Sequence, residues 1–387
     1  MAPISLRPPP RADRVGLHPQ VRLGDDGDLD KAGRHHDGDP GRVSTTDGAE
    51  AARRSGPAAP RRKTMDHRIV GRTGVRVSSL CMGTMSFGTI ADADESGRMY
   101  AAARDAGINF FDTADVYGRG RSEEILGRLI AGERDDLVIT SKVHGRMGDD
   151  VNAGGLSRRH VVRAVEASLR RLGTDRLDFY FVHKFDPSTP IEETLHALDD
   201  LVRRGLILYP AVSNWAAWQI ALALGIAERR SWARFELAQP MYNLAKRQAE
   251  VEILPLAADQ RIGVIPYSPL GGGLLTGKYA AADPGPDARL SANPAYAKRY
   301  GDPMHQEVAR RLVAYASEVG THPATLAVAW VRSHPTVTAP IIGARTLEQL
   351  RPSLAAGELD LDHEARAALT ALTPPVPPAH DRTEESA

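Results

Sequence analysis

The chain of 387 residues contains a single cysteine. That excludes an intramolecular disulfide framework and any zinc site built on paired CxxC ligands, and it leads to the expectation of a reducing, cytoplasmic setting. Excess charge is missing as well, since 49 basic side chains stand against 49 acidic ones. This balance argues against a nucleic-acid partner held by bulk electrostatics and against a polybasic membrane anchor. Long apolar runs are absent, and the longest, at 220–227, is far too short to span a bilayer.

The absences are unevenly spread. Residues 1–64 hold no Phe, Trp or Tyr and only 8 Ile, Leu or Val, whereas Gly and Pro contribute 8 each. So few apolar side chains cannot offset the entropy of ordering the segment. It has no apolar core of a secretory signal, and its nine acids disagree with a transit peptide. Residues 1–64 are therefore expected to be a disordered, dispensable extension, with Met65 as the candidate true start. The neutral total then divides into a +3 extension and a −3 remainder.

From Met65 onward, short runs rich in β-branched residues alternate with amphipathic stretches. The spacing predicts strands at 80–85, 109–114, 137–143, 179–184, 207–213, 236–242, 263–269 and 338–343. Six of the seven intervals between strand starts are roughly 27–42 residues, the length of a β-loop-α-loop unit. Helices are predicted over 121–131, 157–172, 190–204 and 304–319. The second has a serine cap and places Val161, Val165, Leu169 and Leu172 on one face. Eight such units predict a single-domain α/β fold, the (β/α)8 or TIM barrel, over 65–373, with a flexible tail at 374–387. The long seventh connection begins, at 271–303, as an irregular Gly/Pro-rich loop followed by two helices. A doubly wound dinucleotide fold would carry G-x-G-x-x-G after its first strand, and Gly83-Thr84-Met85-Ser86-Phe87-Gly88 lacks that spacing.

In such a barrel, polar groups at the C-terminal strand ends line the active-site mouth. Asp112 ends the second strand, Lys142 the third and His183 the fourth, and Tyr117 follows on the second loop. An ammonium beside a phenol favours phenolate, an aspartate holds the ammonium, and an imidazole orients a carbonyl oxygen. The set suits carbonyl reduction, with Tyr117 supplying a proton as hydride reaches carbon. Each residue taken alone also fits a structural role: a buried ion pair, a loop anchor, a core histidine. Their joint placement favours the catalytic reading. No HxH or HExxH spacing supports a metal site.

Eight stretches in order carry a resemblance: RIVGRTGVRVSSLCMGTMSFG, NFFDTADVYGRGRSEEILG, VITSKV, FVHKFDPSTPIEETL, AVSNW, FELAQPMYNL, VIPYSPLGGGLLTGKY and PIIGARTLEQL. The chain resembles the aldo-keto reductase family over 65–373, and most of all the long-chain bacterial members similar to potassium-channel β subunits and pyridoxal reductases. The resemblance implies Tyr117 as general acid/base in a tetrad with Asp112, Lys142 and His183, and a small-molecule carbonyl substrate.

It also implies a dinucleotide, NADPH/NADP+, held along the later strand ends. Gly83, Thr84 and Met85 would approach the nicotinamide ribose, Ser213, Asn214 and Gln239 would bond the carboxamide, and Tyr267 would stack on the ring. Ser268, Leu270, Gly273 and Lys278 belong to the pyrophosphate stretch. There Gly272-x-x-x-x-Gly277-Lys278 mimics a Walker A loop but ends in Tyr279 instead of Ser or Thr. Gly343, Arg345, Gln349 and Ser353 would serve the adenine end, where Arg345 at a helix start favours a 2′-phosphate. Ser353 replaces a frequent Asn, Ala211 a frequent Gly, and Pro352 should kink its helix. Met85, Phe87, Trp215 and Tyr242 are candidate walls of a substrate pocket or ordinary packing, and Tyr296 and Tyr300 lie on a loop placed to close over it. An NADP-dependent alcohol or sugar dehydrogenase working in reverse is the alternative enzyme. A cofactor-sensing regulatory subunit is the alternative of another class. Oligomeric state has no signature here.

Overall fold

The computed structural model describes residues 65–280 and 289–380. The expectations for 1–64 and for the end of the tail, 381–387, lie outside the described residues, and 374–380 contain no helix or strand. Ten strands appear among the described residues, β1 His67–Ile69, β2 Arg76–Ser78, β3 Cys81–Gly83, β4 Phe110–Asp112, β5 Val138–Val143, β6 Leu177–Val182, β7 Ile207–Ser213, β8 Leu237–Gln239, β9 Gly263–Val264 and β10 Ile341–Ile342. The last eight form one parallel sheet in the order β10-β3-β4-β5-β6-β7-β8-β9. Its two ends meet through Thr338 N–H to Val264 O at 2.8 Å and Ile341 N–H to Pro266 O at 2.9 Å. The result is the expected (β/α)8 barrel, and all eight predicted strands overlap an observed one.

Side-chain alternation along these strands decides what lies inside. Cys81, Phe110, Val138, Phe179, Phe181, Ala211, Leu237, Ile265, Ala339 and Ile341 form one buried cluster in the barrel interior. Their neighbours Met82, Phe111, Ile139, Tyr180, Val182, Val212, Ala238, Val264 and Ile342 belong to a second cluster, against the helices. Two residues further along the inward face come Gly83, Asp112, His183, Ser213, Gln239, Tyr267 and Gly343, with Lys142 four beyond Val138. Cys81, fully buried among these side chains, has its thiol pushed well above the ordinary value by burial, and so acts as a small hydrophobe.

The hairpin of β1 and β2, which pair antiparallel, has no counterpart among the predicted elements. It brings Val70 and Val77 into the interior cluster and stops the barrel at the strand starts. Its turn needs glycine. At Gly71 φ is +50° and a Cβ would lie 2.5 Å from Arg261 O and 2.9 Å from Gly263 N. The hairpin stands before the first βα unit, outside the repeating alternation from which the strands were predicted.

Twelve helices cover the outside among the described residues. The helices α1 Ala93–Asp105, α2 Arg121–Ile130, α3 Arg158–Leu172, α4 Ile191–Arg203, α5 Ala217–Arg230 and α6 Ile253–Asp259 follow β3 to β8 in turn. In α3, Ser157 Oγ accepts from His160 N–H, and Val161, Val165, Leu169 and Leu172 are buried as predicted. Each such side chain contributes roughly 1.5–3 kcal/mol of burial. Pro190 proves to be the N-cap of α4, one residue outside the predicted first turn.

The seventh connection is more ordered than predicted. A kinked 3-10 stretch at Gly271–Thr276 and a 3-10 turn at Lys278–Ala280 precede α7 Arg289–Ala292 and α8 Pro294–Tyr300, then α9 Pro303–Glu318 and α10 Pro323–Arg332. After β10 come α11 Leu347–Ala355 and α12 His363–Ala371. Thr346 caps α11 by accepting from Gln349 N–H, and the helix runs through Pro352 unbroken.

Candidate active site

The C-terminal mouth opens into a cavity of about 1030 Å³, at the upper end of the roughly 300–1,000 Å³ usual for small-molecule sites. At its floor, register sets Asp112 opposite Thr140, with Lys142 two residues further along the same face. Lys142 Nζ donates to Asp112 Oδ2 at 2.6 Å and to Thr113 O at 2.7 Å, and stands 3.5 Å from the Tyr117 hydroxyl. Thr140 Oγ1 and Gln239 Nε2 donate to the other carboxylate oxygen of Asp112 at 2.7 and 2.9 Å. The ion pair is therefore fully buried and fully bonded, the arrangement a buried pair needs to repay its desolvation. Burial works against the charge on Lys142, but Asp112 and then Tyr117 outweigh it and hold the lysine above its ordinary pKa.

Tyr117 is half-buried at the start of a tight turn in which Gly118, Arg119 and Gly120 all take positive φ. Burial raises its pKa above the phenol value, with the nearby Lys142 opposing. The sequence leads one to expect the reverse, because a lysine beside a phenol is legible in the strand order while the burial around it is not. His183 meets the Tyr117 ring edge-on, with centroids 6.0 Å apart and an angle of 81°. Burial, then Lys142, depresses its pKa to about 3, so the imidazole is neutral at any physiological pH.

On the far side, Asn214 adopts φ +57° and donates through Nδ2 to His183 O and Ser213 Oγ, both at 2.9 Å. Its Oδ1 accepts from the Tyr267 hydroxyl at 2.8 Å. This network fixes the Tyr267 ring at the cavity wall. Gly83, Met85, Ser268, Leu270, Gly273, Lys278, Gly343, Arg345 and Gln349 line the same cavity. Three residues expected to face a dinucleotide do not reach the wall. The Thr84 hydroxyl turns outward to Ser122 Oγ at 2.7 Å, and Ser213 Oγ donates to Gln239 O at 2.9 Å. Ser353 is buried in α11 with no partner for its hydroxyl among the described residues. Lys142, fully buried, lies beneath the wall.

Of the candidate substrate walls, Met85 and Tyr296 face the cavity. Trp215 packs edge-on between Phe185 and Phe235, Phe87 is fully buried, and Tyr242 donates to Glu250 at 2.5 Å. Tyr300 is buried against Asn243. His144, Lys184, Arg299 and His322 also line the cavity and are absent from the sequence-derived set. His144 was findable, since it lies two residues beyond Lys142 on the inward face. The other three depend on loop paths.

Behind the sheet, facing α2, Ser141 Oγ and Arg171 Nε donate to Glu123 at 2.5 and 2.6 Å. Neighbouring Asp115 is 1% exposed, and its carboxylate, beside the Val116 N–H, has no well-formed hydrogen bond among the described residues. Burial, then the charge of Glu123, raises its pKa to about 7. A carboxyl whose folded pKa lies above its unfolded one favours folding most below the unfolded value. That advantage is lost as pH rises from about 4 to about 7. Asp115→Asn is accordingly expected to stabilise the protein at pH 8 by about 2–4 kcal/mol and hardly at all at pH 4. Urea unfolding at the two pH values checks this, and equal gains at both would contradict it.

A (β/α)8 barrel whose mouth sets a tyrosine and a neutral histidine over a buried Asp–Lys pair is built to move a proton at a small ligand. Residues 79–373 match the sequence model of the Aldo/keto reductase family, and the chain belongs to that family. It is 38% identical over 322 residues to an uncharacterized oxidoreductase, YrpG, of Bacillus subtilis, covering 80% of this chain and 96% of that one. It is 37% identical over 300 residues to a probable voltage-gated potassium channel subunit beta of Arabidopsis thaliana, with coverage of 76% and 91%. To versiconal hemiacetal acetate reductase of Aspergillus parasiticus it is 32% identical over 329 residues, with coverage of 78% and 94%. No helix among the described residues is long and apolar enough to cross a membrane.

Proposed function

We propose that the protein is a cytoplasmic NADPH-dependent reductase of aldehydes or ketones, formed by residues 65–373. The observation that carries this reading is the Tyr117 hydroxyl standing 3.5 Å from a lysine that is itself locked to Asp112. The cavity fits a dinucleotide: the tetrad is at its floor, Lys278 and Arg345 are cations on its wall, and the stretch leading to Lys278 takes left-handed φ at Gly271, Gly272 and Gly273. Gly273 takes φ +98°, a conformation that favours glycine.

Bound NADPH supplies hydride to the carbonyl carbon. The residues of the chain supply the rest. Tyr117 donates its proton to the carbonyl oxygen, and Lys142 stabilises the phenolate that remains. Neutral His183 donates a hydrogen bond to the same oxygen, and Tyr267 and Asn214 form the wall that orients the nicotinamide. Because burial holds Tyr117 protonated, the resting site is prepared for reduction; alcohol oxidation would need the phenolate first.

Turnover tests the reading: consumption of NADPH with aromatic and aliphatic aldehydes. Identity to a channel β subunit supports a second reading, a cofactor-sensing subunit, which tight NADPH binding without turnover of any carbonyl would favour. Arg345, half-buried between β10 and the cap of α11, is proposed to pair with the 2′-phosphate. Arg345→Ala is expected to weaken NADPH binding about tenfold and NADH binding hardly at all. Fluorescence titration with both cofactors checks this, and equal weakening would remove Arg345 from 2′-phosphate selection.

A further inference from the structure

Apart from Asp112, which is bonded within the floor, the charges lining the cavity are Lys184, Lys278, Arg299, Arg345 and Glu348. Lys278 and Arg345 are assigned above to the phosphates of the cofactor. Two cations, Arg299 and Lys184, then have no task, and among the described residues neither forms an ion pair. Lys184 is exposed, whereas Arg299 is half-buried.

The Arg299 side chain has a built support. Its guanidinium lies over the Tyr296 ring, 4.9 Å from the centroid. Tyr296 in turn packs against Gly272, where a Cβ would come within 2.7 Å of the ring. Glycine there allows the tyrosine to close on the 3-10 turn and carry the arginine to the cavity. Arg299 and Tyr296 line the same cavity as Tyr117 and Tyr267, and the charge of Arg299 opposes the burial that raises the Tyr267 phenol. A planar guanidinium on an aromatic shelf loses little freedom when it binds, and its paired N–H groups match the two oxygens of a carboxylate.

We infer that the cavity takes carbonyl substrates that also bear a carboxylate, and that Arg299 holds the acid group while the carbonyl oxygen faces Tyr117. The inference rests on the reductase reading, and it assigns Arg299 to substrate choice. A matched pair of aldehydes tests it, 4-carboxybenzaldehyde against 4-nitrobenzaldehyde, with the full-length protein and NADPH. Wild type is expected to prefer the acid by about tenfold or more in kcat/KM. Arg299→Ala is expected to erase the preference through KM for the acid, and Arg299→Lys to restore part of it. Terephthalate, which cannot be reduced, is expected to bind the wild-type NADPH complex in calorimetry and to lose about tenfold in affinity in Arg299→Ala. No preference in wild type, a preference that survives Arg299→Ala, or no terephthalate binding would overturn the inference. So would equal losses on both aldehydes with weakened NADPH binding, since Arg299 would then serve the cofactor. Failure to reduce either aldehyde would instead count against the reductase reading, while the terephthalate result still decides on Arg299.

Discussion

Tyr117→Phe is expected to lower kcat for carbonyl reduction by about a thousandfold, within the range of roughly 10²–10⁴ that a positioned general acid contributes. The change removes one hydroxyl at a half-buried position whose only bond in the floor is the long one to Lys142, at 3.5 Å. Folding and NADPH binding should therefore be nearly unchanged, and the loss should fall on kcat. The pH profile provides a second readout. A phenol raised above its ordinary pKa stays protonated, and active in reduction, until pH passes that raised value. The wild-type reduction rate should then show no alkaline fall due to Tyr117 in the range where an ordinary phenol would ionise. Stopped-flow or steady-state rates with 4-nitrobenzaldehyde measure both effects. A variant retaining more than a tenth of wild-type kcat would move the proton source elsewhere.

Lys142→Met is expected to damage both activity and stability. Activity should fall by about 10²–10³, because Tyr117 loses the charge that stabilises its conjugate base. Stability should fall by about 3–5 kcal/mol, because Asp112 is left charged, buried and uncompensated. The double variant Lys142→Met with Asp112→Asn separates the two effects. Removing the stranded charge should recover much of the stability, as a near-isosteric amide keeps the bonds from Thr140 and Gln239 possible. It should recover almost none of the activity. Chemical denaturation and kcat measured on the same preparations check both. Recovery of activity in the double variant would show that the pair only supports the barrel.

The two predictions differ in how much of their basis was legible beforehand. That Asp112, Lys142 and His183 end consecutive strands follows from the alternation and the spacing of βα units alone. So does their convergence, because residues of one parity face one side of a parallel barrel. The burial that raises Tyr117 and keeps His183 neutral is a sum over many distant neighbours, and no local pattern encodes it. The same limit explains Thr84 and Ser213. Both stand in stretches that match a family signature, yet Ser122 and Gln239, far away in sequence, decide where their hydroxyls point.

Loops show the contrast most clearly. The sequence marked 271–303 as long and Gly/Pro-rich, and it placed Tyr296 and Tyr300 there without distinguishing them. In the folded chain one ring carries Arg299 at the cavity and the other is buried against Asn243. By itself, the sequence determined the barrel, the strand ends and the placement of Asp112, Tyr117, Lys142 and His183 at the mouth, because those depend on periodicity and order. The protonation states, the hairpin that stops the barrel, and the loop residues that line the cavity were decided by the tertiary structure. They depend on burial and loop paths, which arise only when segments far apart in the chain pack together.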